Sequence, residues 1–288
     1  RSCRAGFGSH PLAGIGAVMT GLHIRRGHAP LIVSFPHAGT QIPHAIEKQL
    51  VSPWLARKDT DWWVRRLYEF ADSLDATMIA TDISRTVIDV NRDPSGASLY
   101  PGQATTGLCP LTTFDGEPLY QAGQEPGDAE IAARRRLYFD PYHAALAGEI
   151  ERLRQRYGKI VLYDAHSIRS NIPRLFDGTL PHFNLGTDNG RTAAPALTAS
   201  LEAICVGSGL TSVVNGRFRG GWTTRHYGNP SAGIHAVQME LACRTYMDEP
   251  PGPVGPANWP QDFATARAAQ ARAVLSDILK ACLHFTAM

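Results

Sequence analysis

The sequence predicts one α/β domain in three layers, with helices on both faces of a central sheet that is mostly parallel or mixed. Three observations predict it. Short apolar runs at 30–35, 159–163 and 234–240 alternate with segments of helical periodicity. A chain of 288 residues with 43% hydrophobic and 19% charged residues has ample material for one large core. No internal repeat or linker divides it.

Residues 1–18 (RSCRAGFGSHPLAGIGAV) lack both the apolar region of a signal peptide and any periodicity. They read as a non-native or disordered extension ahead of Met19, leaving 19–288 as the domain. Residues 30–35 (PLIVSF) read as a buried strand that stops at Pro36-His37-Ala38-Gly39. Over 60–75, Trp62, Trp63, Leu67, Phe70 and Leu74 fall near helical spacing, with Asp59 or Asp61 in the first turn, where a carboxylate suits the helix dipole. Residues 76–81 and 86–90 (TVIDV) read as strands, and the Pro-, Gly- and Thr-rich stretch 93–127 as a long surface excursion. A long amphipathic helix is predicted over 128–157, with Leu137, Leu146, Ile150 and Leu153 on its apolar face and Gly158 as its stop. The strand 159–163 (KIVLY) then ends at Asp164-Ala165-His166-Ser167. A helix over 190–204, a strand over 211–215, a Gly-rich loop over 219–233, a strand over 234–240 and a terminal helix over 261–284 complete the chain.

Composition narrows the function. A net charge of +2, with no run of five basic residues, argues against a nucleic-acid surface. No apolar stretch approaches the roughly 20 residues of a membrane span. The cysteines (Cys3, Cys109, Cys205, Cys243, Cys282) are scattered and odd in number, with no C-x-x-C pair. They read as reduced cytoplasmic thiols rather than a disulfide frame or a zinc finger. No G-x-G-x-x-G or Walker-type loop follows a predicted strand, which disfavours nucleotide binding.

Two apolar strands each deliver a histidine, His37 and His166, at the carboxyl ends where α/β sheets bind ligands. Neutral imidazole is a common zinc ligand, and a catalytic site wants about three protein ligands with one position left open. Asp59 and Asp61 are the nearest carboxylates to complete such a set, with Glu47 weaker. Asp164, two residues before His166 on a strand, points to the same side and would orient a ligand from behind. The alternative for each histidine is an ordinary hydrogen-bonded loop residue. Arg85, Arg92, Arg217, Arg219 and Arg225 form an arginine-rich set; a planar guanidinium matches a carboxylate with two hydrogen bonds, which points to an acidic small molecule unless these are surface residues. Glu240 sits in the otherwise buried run Val237–Leu241 and suits a general base or a structural ion pair.

These residues stand in ordered motifs. Ser34-Phe35-Pro36-His37-Ala38-Gly39, Asp59-Thr60-Asp61-Trp62, Ser84-Arg85 with Asn91-Arg92, Asp164-Ala165-His166-Ser167 and Phe183-Asn184-Leu185-Gly186-Thr187 come first. Gly220-Gly221-Trp222-Thr223-Thr224-Arg225-His226-Tyr227-Gly228 and Gln238-Met239-Glu240-Leu241 follow. The set, over roughly 28–250, resembles the N-formylglutamate amidohydrolase family, which acts in the last step of a histidine-degradation route. That family is similar to the zinc carboxypeptidases, which implies a mixed sheet and a histidine, a carboxylate and a second histidine on Zn2+ or another divalent metal. Thr40 stands where those peptidases place their glutamate, so the resemblance gives the carboxylate role to Asp61, with Asp59 as the alternative, between His37 and His166. It implies that zinc-bound water attacks the formyl carbon, that Glu240 is the general base, and that Arg85 or His226 stabilises the oxyanion. It further implies that Asn91, Arg92, Arg219, Arg225 and Tyr227 bind a small N-acyl amino acid, with formate and L-glutamate as products in the cytoplasm. Rival readings are an amidohydrolase for another N-acyl amino acid or a cell-wall amide, and a non-catalytic module that binds acidic metabolites.

Overall fold

The computed structural model of the chain describes residues 21–97, 102 and 105–288, so the extension expected at 1–18 lies outside the described residues. In chain order the elements are β1 (Leu22–Arg25), β2 (Leu31–Phe35), α1 (His44–Glu47), α2 (Val64–Leu67), β3 (Thr77–Thr81), α3 (Asp128–Arg134), α4 (Asp140–Arg156), β4 (Ile160–Ile168), β5 (Phe183–Gly186), α5 (Pro195–Gly207), β6 (Ser212–Val214), α6 (Trp222–Tyr227), β7 (Ile234–Ala242) and α7 (Thr265–Ala287). The strands form one sheet in the order β1-β3-β2-β4-β7-β5-β6. Its centre (β3, β2, β4, β7) is parallel, while β1 on β3 and β5 on β7 run antiparallel, so the sheet is mixed.

The period of two along the strands builds the three layers. Leu31, Val33 and Phe35 of β2, Val161, Tyr163 and Ala165 of β4, and Val237, Met239 and Leu241 of β7 face one way, onto Leu67 and Tyr68, Leu197 and Leu201 of α5, and Leu275, Ile278 and Leu279 of α7. Ile32, Ile160, Leu162 and Ala236 face the other way, onto Tyr142, Leu146, Ile150 and Leu153 of α4. On this second face the side chains change character towards the strands' carboxyl ends. Ser34, Asp164, His166, Gln238 and Glu240 continue the register of these apolar residues and are also buried. Buried polar groups need partners, so this end of the sheet is where the functional site is expected.

Several expectations are corrected. Residues 60–75 are not one helix: Trp63 is left-handed (φ 63°), so only α2 and a 3-10 turn (Glu69–Leu74) form. Residues 86–90 are turns rather than a strand, because the Ser84 and Thr86 hydroxyls bond the Ala56 carbonyl (3.4 and 2.7 Å) and bend the chain inward. The helix predicted over 128–157 is α3 and α4 joined through a wider, π-type turn at Arg135–Phe139. The Gly-rich stretch 219–233 contains α6. Strands β1 and β5 were not expected, and β4 runs on to Ile168, so His166 lies within a strand rather than beyond one.

Candidate metal centre

His37 leaves the end of β2 on a turn, and the Asp61 backbone N–H returns to the His37 carbonyl (3.0 Å), which holds the segment before α2 against that turn. His166, on β4, stands opposite Glu240 of β7 in the parallel register. The result is a buried triangle. His37 Nδ1 and His166 Nδ1 are 3.1 Å apart, His166 Nδ1 lies 3.1 Å from Asp61 Oδ2, and His37 Nδ1 lies 3.8 Å from that oxygen. One donor atom from each residue lies within 4.8 Å of the others.

The outer ring nitrogens are held by carboxylates. His37 Nε2 is 2.6 Å from Asp89 Oδ1, and His166 Nε2 is 2.9 Å from Asp164 Oδ2. Ser34 Oγ donates to the other Asp164 oxygen (2.5 Å), and the Ser167 N–H donates to Asp61 Oδ2 (3.1 Å). A carboxylate on the far nitrogen fixes the tautomer, turns Nδ1 inward and raises its basicity, the arrangement usual behind metal-bound imidazoles. Tetrahedral zinc with bonds near 2.0–2.1 Å sets its ligands about 3.3 Å apart. Two imidazoles and a carboxylate at 3.1, 3.1 and 3.8 Å therefore fit a divalent cation in donor chemistry and in spacing.

Charge gives the same answer. Asp61, Asp89, Asp164 and Glu240 are buried, and the guanidiniums paired among them are Arg85 and Arg92. With neutral rings and all four carboxyls ionised two negative charges would remain, which a divalent cation would balance. The side chains register this excess. Burial would lower His166, but Asp164, Asp61 and Glu240 outweigh it and hold the ring well above its ordinary range. Burial and Arg85 push His37 down to about 4 despite Asp89. Burial would raise Asp89, but Arg92, His37 and Arg85 hold it well below the usual carboxylate range. Burial, joined by Asp61 and Asp164, raises Glu240 to about 8 against the pull of His166 and Arg85.

A cavity opens on this centre. His37, His166, Glu240, Gln238 and Gly221 lie at its metal end, Asn91, Arg92, Thr105 and Thr106 on one wall, and Phe114, Ile168, Leu175, Arg217 and Phe218 on another. Gly221 is needed there: a Cβ on it would lie 2.3 Å from Asn91 Nδ2. Asn91 is thereby packed with Nδ2 3.1 Å from His166 Nε2, while its Oδ1 accepts the Thr223 N–H (2.8 Å). Arg85 also lines the cavity, held by Asp89 (2.7 Å) and stacked on Phe114 (4.8 Å).

Other expected site residues lie elsewhere. Asp59 accepts the Phe114 N–H (2.6 Å) and pairs with Arg169 (3.2 Å), so its oxygens anchor the loop around Phe114 while Asp61 stands beside the rings. Glu47 pairs with Arg57 (2.8 Å). On α6, His226 is exposed and stacked on Trp222 (4.2 Å), and the Tyr227 hydroxyl bonds His143. Arg219 is exposed and bonds the Gly216 carbonyl (3.3 Å), while Arg225 bonds the Gly220 carbonyl (2.9 Å) and lies 3.5 Å from Asp188. None of these four is among the described residues that line the cavity. Asp89 and the position of Arg217 were missed. An aspartate accepting the N–H two residues on (Asn91, 2.9 Å) is an Asx turn, and the Asp89-Val90-Asn91 triplet was the available signal.

The chain was compared with known proteins. The family model of N-formylglutamate amidohydrolase matches residues 29–247. An N-formylglutamate deformylase from Pseudomonas aeruginosa is 47% identical over 259 residues, covering 90% of this chain and 96% of that protein. Another from Pseudomonas putida is 45% identical over 267 residues, covering 92% and 97%. The crystal structure of an N-formylglutamate amidohydrolase from Ralstonia eutropha JMP134 aligns with a TM-score of 0.76 at 24% identity, covering 93% of this chain and 99% of that one. That of an Agrobacterium tumefaciens gene product aligns with a TM-score of 0.68 at 17% identity, covering 93% and 96%. These two structures share the fold.

Proposed function

The chain belongs to the N-formylglutamate amidohydrolase family and is an enzyme that opens linear amide C–N bonds; on that premise we propose that it hydrolyses N-formyl-L-glutamate to formate and L-glutamate. The observation that carries this reading is the His37–Asp61–His166 triangle with carboxylates on both outer nitrogens and Glu240 in register beside it. These three residues would hold a divalent cation, with zinc the best match to two imidazoles and one carboxylate. When bound, such a cation supplies Lewis acidity, which polarises a carbonyl and acidifies water.

The chain's own residues do the rest. Glu240, raised to about 8, exchanges a proton near neutral pH. It removes a proton from the attacking water and later delivers one to the departing nitrogen. Gln238 Nε2 donates to Glu240 Oε2 (3.2 Å) and its own Oε1 accepts the Gly221 N–H (2.6 Å), which fixes the orientation of the carboxyl. Arg85, clamped by Asp89 and close to Asp61, keeps two carboxylates in place and sets positive charge where the formyl oxygen gains negative charge. Asn91 and Arg92 face the substrate from the polar wall, with Arg92 taking a carboxylate. By the family's role, the reaction closes a histidine-degradation route in the cytoplasm.

The test is formate release from N-formyl-L-glutamate beside acetate release from N-acetyl-L-glutamate, before and after chelation. The reading predicts formate release that chelation abolishes and zinc restores. Activity on neither compound would remove it.

A further inference from the structure

The two walls of the cavity differ in chemistry, and each carries an arginine. Among the described lining residues are three guanidiniums, Arg85, Arg92 and Arg217, and one carboxylate, Glu240. Arg85 is engaged with Asp89 and Asp61. Arg92 stands on the polar wall close to the metal end, where its Nε and Nη2 donate to the Thr106 carbonyl and hydroxyl (2.9 and 3.0 Å). It follows Asn91, whose amide reaches His166 Nε2 (3.1 Å), and it lies 3.5 Å from Asp89, the partner of His37.

Arg217 belongs to a different wall. Its Nε donates to the Leu175 carbonyl (2.8 Å) and its guanidinium packs on the Phe218 ring (5.4 Å). Leu175 and Phe218 form a small apolar cluster with Phe114 and Ile168, and all four line the cavity. So one wall offers a polar surface with Arg92 close to the metal end. The other offers an apolar surface with Arg217 set in it.

We propose that Arg217 reads the distal, side-chain carboxylate of the substrate, while Arg92 takes the α-carboxylate. This rests on the deformylase reading, and bond connectivity sorts the two arginines. With the formyl group at the metal end, the α-carboxylate is only two atoms beyond the formyl nitrogen, which suits Arg92. Two methylenes separate the α-carbon from the second carboxylate, and they need an apolar surface with a cation beyond it. Phe114, Ile168, Leu175 and Phe218 supply that surface, and Arg217 is its cation. A planar guanidinium held through Nε and stacked on an aromatic ring is pre-ordered for a carboxylate. Arg219 and Arg225, next along the chain, do not border the cavity.

The assay is the steady-state kinetics of Arg217→Gln and Arg217→Lys with N-formyl-L-glutamate and N-formyl-L-glutamine. Loss of a contact that is remote from the reacting bond and equal in ground and transition states raises KM and leaves kcat nearly unchanged. Loss of a charge-assisted pair predicts a KM roughly 10- to 100-fold higher for the glutamate substrate in Arg217→Gln. The preference for glutamate over glutamine falls by the same factor, and Arg217→Lys recovers part of it. An unchanged preference, or an equal fall in kcat for both compounds, overturns the assignment. Calorimetric binding of glutarate beside butyrate tests Arg217 independently of turnover. Wild type should prefer the diacid and Arg217→Gln should lose that preference. If wild type prefers glutarate and Arg217→Gln loses that preference, yet wild type releases no formate, the deformylase reading fails while Arg217 still stands as a carboxylate site. If wild type holds glutarate no better than butyrate, the assignment of Arg217 fails, whatever the turnover.

Discussion

Replacing Asp89 with asparagine keeps the shape of the side chain and removes one charge from behind His37. Asp89 Oδ1 accepts from His37 Nε2 (2.6 Å) and from the Asn91 N–H (2.9 Å), and Oδ2 accepts from Arg85 Nη2 (2.7 Å). Every neighbour on both sides is a donor. An asparagine has one oxygen and one NH2, so in either orientation a donor meets a donor. With the oxygen towards His37, the NH2 faces the Arg85 guanidinium. With the oxygen towards Arg85, the imidazole loses its acceptor. Asp89 also raises the basicity of a ring that burial and Arg85 hold down at about 4, so its loss makes His37 a poorer ligand. Removing such an outer partner weakens metal binding about 10- to 100-fold, or about 1.4–2.8 kcal/mol. Competition for zinc against a chelator of known affinity, at fixed pH, measures this directly, and a melting curve shows that the variant is folded. A folded Asp89→Asn protein that binds zinc within about twofold of wild type would show that Asp89 does not support His37 as a ligand.

The remaining predictions concern neighbouring residues. Asp61→Asn should take metal binding and formate release to background. Asp59→Asn should keep the metal and lose about 1–3 kcal/mol of stability, since it removes the charge on which Arg169 and the Phe114 N–H rely; metal analysis and denaturant titration of the pair separate the two aspartates. Gly221→Ala places a methyl against Asn91, so overpacking should cost about 1–3 kcal/mol and lower formate release with it; unchanged melting and rate would contradict this contact. His143 is buried, with Nε2 2.7 Å from the Val90 carbonyl, and burial lowers it from its ordinary 6.5 to about 4. The neutral ring is then the form the fold favours. Its contribution is fully present above pH 6.5 and is lost as pH falls towards 4, by about 3 kcal/mol at most. Denaturant titrations of wild type and His143→Gln should converge across that window, and a pH-independent difference would contradict it.

What the sequence made legible follows from the range of the signals involved. β2 and β4 begin as continuous apolar runs, and a histidine following such a run, an aspartate two residues before it, or a carboxylate inside one is a local pattern, so His37, His166, Asp164 and Glu240 were found. Asp89 was hidden because TVIDV has the composition of a strand, and the bonds that bend it come from Ser84 and Thr86 to the distant Ala56 carbonyl. The choice between Asp59 and Asp61 rests on a 60–75 segment that breaks at the left-handed Trp63 rather than forming one helix. Arg217 could not be told from Arg219 and Arg225 because the distinction depends on how the loop after β6 leads into α6, a helix of six residues without a periodic signature. The antiparallel strands escaped because both are short: β1 is four residues long and largely exposed, and β5 has four residues as well.

The central claim is that His37, Asp61 and His166 hold a divalent metal on which turnover depends. Metal content per chain, measured with formate release on the same samples of wild type, His37→Ala and His166→Ala, tests it most directly. One divalent ion per wild-type chain is expected, and little metal with background turnover in folded samples of both variants. A folded His37→Ala protein that keeps a full equivalent of metal and the wild-type rate would contradict it.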